Sequence, residues 1–417
     1  MEELLLEIHG IAQGGDGVGR LDGMVVFVTG ALPGEVVRIR VSERRQTYIR
    51  GMVLEVVTPS PDRIAPITSD DGHAPWQHVD YSAQLRLKEQ IVREQLAKLA
   101  GLEAPPLAPI IAAPQPWGYR NTARFHVDGA KIGYHYSGSR HVSDLTSDPL
   151  LLPVLNTALA GLRVVLPPFK HAIEGVTLRA SASYGYAIGL LHGHARSAPA
   201  DLADLGVAWC AQTPNLAGVA AEAPGYIQPT PVQLHDDLGG VTFMLSPESF
   251  FQVNTPQAER MLDLIRHELD LQPGERLLDA YSGVGSFALP LAYGLTEVVA
   301  VEENPKAVAD GVSCLPYNGI TNVSFVQGSA ERLLSRIEGQ FDAAILDPPR
   351  RGCHPAVIEE LARLAPARLA YISCHPGILA RDLGAFLRIG YCLDLVQPID
   401  LFPQTPHIEC LVVLRKG

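Results

Sequence analysis

Apolar and polar residues alternate in short runs over the first sixty or so positions, as LLLEIHGIA, MVVFVTGAL, PGEVVRIRVS and IRGMVLEVV. A period of two places every second side chain on one face of a strand, and the Gly and Pro between the runs mark turns. The pattern predicts a small antiparallel β-barrel over 1–62. The period then changes. In HVDYSAQLRLKEQIVREQLAKLA, Leu85, Ile91, Val92 and Leu96 are read onto one helical face, which predicts a helix over about 78–100. A Pro-rich connector, EAPPLAPIIAAPQP, follows, and residues 117 to about 255 mix strands and helices around Gly and Pro turns. This predicts a central α+β domain over 63–255. From 256 to 417 the pattern is regular: RLLDA, EVVAVE, NVSFV, FDAAILD and RLAYIS are apolar strands with helix-sized segments between them, and YCLDLVQ and ECLVVLRK follow. Strands alternating with helices predict a parallel sheet wound on both faces, with ligands at the carboxyl ends of its strands. The fold class is multidomain α/β.

Composition narrows the class of protein. Hydrophobic residues make up 47% and charged residues 19%, as expected of globular domains, and 417 residues suffice for two or three of them. No apolar run has the length of a membrane span, and MEELLLEIHG lacks the basic stretch of a secretory signal. The six cysteines, at 210, 314, 353, 374, 392 and 410, show no paired spacing. A cytoplasmic protein is expected, with no membrane and no obligate protein partner.

A net charge of −12 argues against sequence-blind nucleic-acid affinity but leaves room for local basic surfaces. Two stand out. Arg38, Arg40, Arg44, Arg45 and Arg50 face only Glu35 and Glu43 over 34–50, and Arg120, Arg124, Lys131 and Arg140 interleave with Trp117, Tyr119, Phe125, Tyr134 and Tyr136. Cations for phosphates and rings for unstacked bases suit single-stranded RNA. A solvated strand face accounts for either patch equally well.

The candidate chemistry lies in the last domain. LLDAYSGVGSFALPLA (277–292) reads as strand, glycine loop and helix, with Gly283 and Gly285 turning the backbone and Asp279 ending the strand. Glu302 ends the next strand, where a carboxylate can accept hydrogen bonds from both hydroxyls of a ribose. The loop is no dinucleotide site; DxxxGxG resembles the S-adenosylmethionine loop of Rossmann-like methyltransferases, and Tyr281 lies within it. FDAAILDPPRRGCHP sets Asp347 at the end of the fourth strand, held by two prolines that donate no N–H. YISCHPGILARDL sets Cys374 at the end of the fifth, on the edge where such sheets do chemistry. A small buried residue has no need of that place, whereas a nucleophile does.

DPPRRG, SCHP and DLFPQTPHIECLVVL together resemble the catalytic motifs of the RNA uracil-C5 methyltransferase family. SFFQVN (249–254), YSAQLRLK and GYRNTARFHV match its other segments, and EIHGIAQGGDGVGRLDGMVVFVTGALPGEVVRIRV is similar to the TRAM domain, an RNA-binding, OB-like barrel. The resemblance covers nearly the whole chain. It implies that Cys374 adds to carbon 6 of uracil, that Glu409 removes the carbon 5 proton, and that Asp347 orients the ring. It further implies that Gln252, Asp279, Tyr281, Gly283, Gly285, Glu302 and Asp347 hold S-adenosylmethionine, and that Arg38, Arg40, Arg44, Arg45, Arg120 and Arg124 grip RNA. Ribosomal RNA is the expected substrate ahead of tRNA uridine 54. An RNA-binding protein without catalysis and an amine methyltransferase are the alternatives; neither would need Cys374.

Two departures from the family stand in the sequence. His375 stands where the family has Asn, directly after the nucleophile. Many TRAM-containing members hold an iron–sulfur cluster through four cysteines, three of them clustered before the helix. Here that segment reads ITSDDGHAPWQHVDYSAQL, and no cysteine precedes Cys210. No iron–sulfur cluster and no other metal site is expected.

Overall fold

The computed structural model describes residues 2–68, 73–136, 139–227 and 232–417. They fall into two compact units: one of Met1–Pro116, Ser373–Ala385 and Leu395–Leu411, and one of Trp117–Ile372, Phe386–Asp394 and Val412–Gly417. Among the described residues no helix is long and apolar enough to cross a membrane.

The first unit opens with five strands, β1 (Glu3–Ile11), β2 (Gly17–Leu21), β3 (Met24–Thr29), β4 (Val36–Arg44) and β5 (Tyr48–Thr58), closed as a barrel in the order β1-β2-β3-β5-β4. Alternation fills the barrel with Leu6, Ile8, Val26, Val28, Val37, Ile39 and Ile49, but the barrel is not antiparallel throughout as the pattern suggested: β5 returns beside β3 in parallel. Asp22 and Gly23, at φ 49° and 84°, form the two-residue turn that pairs Leu21 with Met24.

Helix α1 (Tyr81–Ala100) starts where the Asp80 side chain accepts from the Ser82 N–H at 3.0 Å, three residues later than the pattern suggested. Its buried stripe is Ala83, Gln84, Leu87, Lys88, Ile91, Val92 and Leu96, so Leu85 falls off the face assigned to it. The i, i+4 spacing runs through 84, 88 and 92, and two of those positions are polar.

Both polar residues grip the segment 400–404. Lys88 and Asp400 have fully buried side chains with Nζ 2.6 Å from Oδ1, and Nζ also donates to the Phe402 carbonyl at 3.0 Å. Burial pulls the Lys88 ammonium down, and Asp400 offsets only part of that. Gln84 accepts from the Gln404 N–H at 2.9 Å and donates to its side-chain oxygen at 2.8 Å, while Trp76 N–H donates to the Gln404 carbonyl at 3.0 Å. Gln404 is thereby held at φ 64°, a left-handed conformation that a non-glycine residue seldom adopts. Lys88→Ala strands a buried carboxylate, so we expect a loss of about 3–5 kcal/mol in denaturant unfolding. The apolar pair Lys88→Met with Asp400→Leu should recover most of it. A single variant as stable as wild type would show that water reaches Asp400.

The second unit holds a six-stranded sheet in the order β11-β10-β9-β8-β6-β7. Its strands are β6 (Thr122–Asp128), β7 (Lys131–Gly133), β8 (Ile173–Ala180), β9 (Ala187–Gly193), β10 (Leu216–Ala223) and β11 (Tyr226–Ile227). Helices α2 (Pro153–Val165) and α3 (Pro199–Gln212) contribute Leu155, Leu159, Leu162, Leu205 and Trp209 to its core. A hairpin of β12 (Leu234–Leu238) and β13 (Val241–Leu245) and a helix, α4 (Thr255–Leu269) capped by Asn254, lead into the last sheet.

That sheet alternates β14 (Arg276–Ala280), β15 (Glu297–Glu302), β16 (Val323–Gln327), β17 (Ala343–Leu346) and β18 (Arg368–Ser373) with short and long helices. The helices are α5 (Ala288–Leu291), α6 (Pro305–Tyr317), α7 (Ala330–Leu333), α8 (Pro355–Leu364) and α9 (Pro376–Arg388). Strands β19 (Tyr391–Ile399) and β20 (Glu409–Lys416) follow, and the order is β16-β15-β14-β17-β18-β20-β19. The first five strands pair in parallel. Connections leave β14 for β15 on one side and arrive at β17 on the other, so the sheet's switch point lies between β14 and β17.

Candidate active site

At that switch point the Asp347 N–H faces the Ala280 carbonyl at 3.5 Å, which sets the ends of β14 and β17 side by side. The β14 end gathers four of the seven cofactor residues expected from the sequence. Asp279 is fully buried; its Oδ2 accepts from the Ala288 N–H at 3.0 Å, and its Oδ1 meets no donor among the described residues. Burial, and after it the Asp347 charge, raises the Asp279 carboxyl well above the usual carboxylate range. Tyr281 takes a left-handed φ of 68°, and Gly283 and Gly285 follow at 58° and 85°. A Cβ on Gly285 would lie 2.2 Å from Leu289 and 3.0 Å from Phe325, so the close loop tolerates no side chain there. Burial pushes the Tyr281 hydroxyl up.

Glu302 reaches back from the end of β15. Its Oε2 accepts from the Gly283 N–H at 2.8 Å and its Oε1 from the Asn304 N–H at 2.7 Å. Gln252 donates to Asp347 Oδ2 at 3.4 Å and is anchored through its own carbonyl, which accepts from Asn121 Nδ2 at 2.8 Å. Asp347 is half-buried, and burial lifts its carboxyl to about 7 against the pull of Gln252. The helix expected after the glycine loop is only the four residues of α5. Pro290 supplies no N–H and sits in the first turn, where none is needed, and the Asp279 carboxylate caps that turn at the Ala288 N–H.

The other unit brings Cys374 and Glu409 together. Strand β18 ends at Ser373 and α9 begins at Pro376, so Cys374 stands half-exposed in the turn. Glu409, the first residue of β20, is 6% exposed. Cys410 feels both: its thiol is raised well above normal by burial first and then by the charges of Glu409 and Cys374. A thiol and a carboxylate thus share one neighbourhood.

His375 has a legible job. Its Nδ1 accepts from the Ile378 N–H at 3.2 Å, capping α9 just as His354 Nδ1 accepts from the Ala356 N–H at 3.2 Å to cap α8. The imidazole does what an Asn side chain does at a helix start. Sequence reading saw only the replacement, because capping depends on where the helix begins.

The arginines differ in their surroundings. Arg38 pairs with Glu55 at 3.1 Å, Arg44 with Glu2 at 2.6 Å and Arg45 with Glu43 at 2.6 Å, while Arg40 pairs with no carboxylate among the described residues. Arg120 is half-buried; desolvation works against its charge, but Tyr119, Tyr134 and Asp148 hold it above its usual range. Arg124 is exposed on the edge of a cavity of about 620 Å³ with His192 and Tyr226. Residues 69–72 of the cysteine-free segment lie outside the described residues. Within 67–85, Gln77 bonds Thr68, and Trp76 and Gln84 grip Gln404. Among the described residues no three His, Cys, Asp or Glu side chains gather as a metal site.

Comparison with known proteins agrees with this layout. Residues 237–417 match the family model described as tRNA (Uracil-5-)-methyltransferase, and residues 2–54 match the TRAM domain. An uncharacterized RNA methyltransferase of Thermosynechococcus vestitus is 37% identical, over 98% of this chain and 97% of its own length. Another, from Gloeobacter violaceus, is 34% identical over 100% of this chain and 97% of its own. Among solved structures, the Pyrococcus abyssi tRNA (uracil-54, C5)-methyltransferase in complex with S-adenosyl-L-homocysteine superposes with a TM-score of 0.78 at 24% identity, covering 98% of this chain and 99% of that one. At that identity it shows a shared fold.

Proposed function

Because this chain belongs to the RNA uracil-C5 methyltransferase family, we propose that Cys374 and Glu409 carry its reaction through a covalent adduct with uracil. The protein is an RNA methyltransferase that uses S-adenosylmethionine and a TRAM barrel. The observation that carries the proposal is the half-exposed thiol at the end of β18, set in one neighbourhood with a buried carboxylate.

Carbon 5 of uracil is a weak nucleophile. Addition of the Cys374 thiolate to carbon 6 moves the ring's π electrons onto carbon 5 and its carbonyl oxygen, making an enolate. S-adenosylmethionine, when bound, supplies an electrophilic methyl group for that carbon. Carbon 5 then carries both a hydrogen and a methyl group. Glu409 takes the hydrogen as a proton, the electron pair re-forms the C5–C6 double bond, and Cys374 leaves with its sulfur electrons. The target uridine must leave its stack for carbon 6 to be attacked.

The residues around β14 suit a cationic nucleoside. Asp279 Oδ1 and Ser282 Oγ are buried polar atoms with no partner among the described residues, Gly283 leaves open space, and Glu302 stands where ribose hydroxyls are bound in such sheets. Gln252, Tyr281, Gly285 and Asp347 complete the set, with Asp347 also orienting the uracil. Ionised Asp347 favours the sulfonium and ammonium charges. Affinity for S-adenosylmethionine should therefore rise with pH through about 7, by about tenfold between pH 6 and 8. Calorimetric titration would read this, and Asp347→Asn should flatten the profile; an equally steep profile in that variant would assign the proton elsewhere. Folding runs the other way. The unfolded chain releases this proton near pH 4 and the folded protein near 7, so Asp347 costs stability increasingly as pH rises across that window.

The barrel makes ribosomal RNA our preferred substrate, while the description of the matched catalytic model favours tRNA, with uridine 54 as the alternative target. Methyl transfer from labelled cofactor to unmodified ribosomal RNA and tRNA transcripts, with nucleosides identified by mass spectrometry, tests both. 5-Methyluridine in one RNA class decides the substrate. Cofactor and RNA binding without product would favour an RNA-binding protein without catalysis.

A further inference from the structure

Two amides and an imidazole converge just past the turn that carries Cys374. Gln13, in the turn after β1, brings its Nε2 to 2.9 Å from His375 Nδ1 and 3.1 Å from Nε2. A side chain on Gly377 would meet Gln13 Oε1 at 3.0 Å and Gln95 Oε1 at 3.3 Å, so its bare Cα admits both amides to the first turn of α9. A groove of about 300 Å³ opens there between the barrel and α1, lined by Gln13, Val18, Phe27, Ile91, Gln95 and Lys98.

Its chemistry is specific. Lys98 is neutralised by Glu94 at 3.0 Å, so the groove offers little to a bare phosphate. It offers a half-buried ring, Phe27, and two amides that can each donate and accept. Beyond the ring, Tyr48 meets Phe27 edge-on at 6.0 Å, and the Arg50 guanidinium, itself paired with Asp16 at 3.2 Å, lies 5.3 Å from the Phe27 centroid and 5.6 Å from that of Tyr48. Flat ring, amide edge and outer cation are the parts with which proteins hold one unstacked nucleotide. The volume is at the small end for a ligand site.

We propose that this groove holds an unpaired nucleobase close in sequence to the target uridine, its face on Phe27 and its edge on Gln13 and Gln95. The proposal rests on the RNA methyltransferase reading and adds a second base to what the enzyme recognises. The residue after the nucleophile, His375, is then where recognition of that base adjoins the reaction.

Abasic substitution tests it. Synthetic fragments of the RNA that the wild type methylates would carry one abasic nucleotide at a time around the target, and binding to wild type, Phe27→Ala and Gln95→Ala would be measured. With intact RNA both variants should bind about tenfold more weakly, roughly the effect of losing one stacked base. One abasic position should weaken wild type by a similar factor and do no further harm to Phe27→Ala. S-adenosylmethionine binding reports that the variants are folded. Wild-type RNA affinity in both variants, or losses that multiply at every abasic position, would overturn the proposal while methylation stands. Absence of 5-methyluridine with wild type and every RNA would instead remove the reading beneath it.

Discussion

Replacing Cys374 with alanine will abolish 5-methyluridine formation, by at least roughly a thousandfold, while leaving S-adenosylmethionine binding in place. The size follows from the substrate. Without a group added at carbon 6, carbon 5 has too little electron density to accept a methyl group, and the buried thiols of Cys314 and Cys410 cannot stand in. Cys314 is buried with its thiol raised to about 11, and Cys410 is buried with its thiol held well above the usual range. Neither ionises readily or reaches solvent. Cofactor binding should survive because Asp279, Gly283 and Glu302 belong to β14, β15 and the loop between them. Cys374→Ser should be nearly as inactive, since a hydroxyl is far less acidic than a thiol. Product formation within tenfold of wild type by Cys374→Ala would refute covalent catalysis outright.

Glu409→Gln will trap the reaction after it has begun. An amide of the same shape cannot take the carbon 5 proton, so the methylated ring stays bonded to Cys374 and turnover falls by about a hundredfold or more. The expected signature is an enzyme–RNA band that survives denaturation, requires S-adenosylmethionine, and disappears in the double variant with Cys374→Ala. A dead enzyme without that band would place the role of Glu409 before thiolate addition. Its burial makes this a sensitive position, because a carboxylate removed from water must be matched by its neighbours.

The parts of this molecule governed by period and local geometry were legible in the chain. Alternation defined the barrel strands, apolar runs defined β14 to β18, and the DxxxGxG and DPPR segments fell at the carboxyl ends of strands as such sheets require. What escaped depended on partners distant in sequence. Gln84 and Lys88 look like solvent-facing helix residues until residues 400–404 are placed over them. His375 looked like a departure until the start of α9 made it a cap. The arginines of 38–45 read as a cationic strip against Glu35 and Glu43 alone, yet Glu55 and Glu2 stand beside Arg38 and Arg44. Charge counted along a chain misses carboxylates brought in from other strands.

The buried pair of Lys88 and Asp400 sets an order on biosynthesis. Their partners lie 312 residues apart, and at the usual pace of translation roughly 15–60 s separates the emergence of one from the other. Through that interval α1 carries an ammonium on the face it must bury, and the stripe from Ala83 to Leu96 cannot close over it without a counter-ion. The barrel can form early from its own local pairings, but the unit that holds Cys374 must wait for residue 400 to leave the ribosome. A nascent chain therefore displays its TRAM barrel well before Cys374 is set in its turn, and it is in that window that chaperones would find the exposed face of α1.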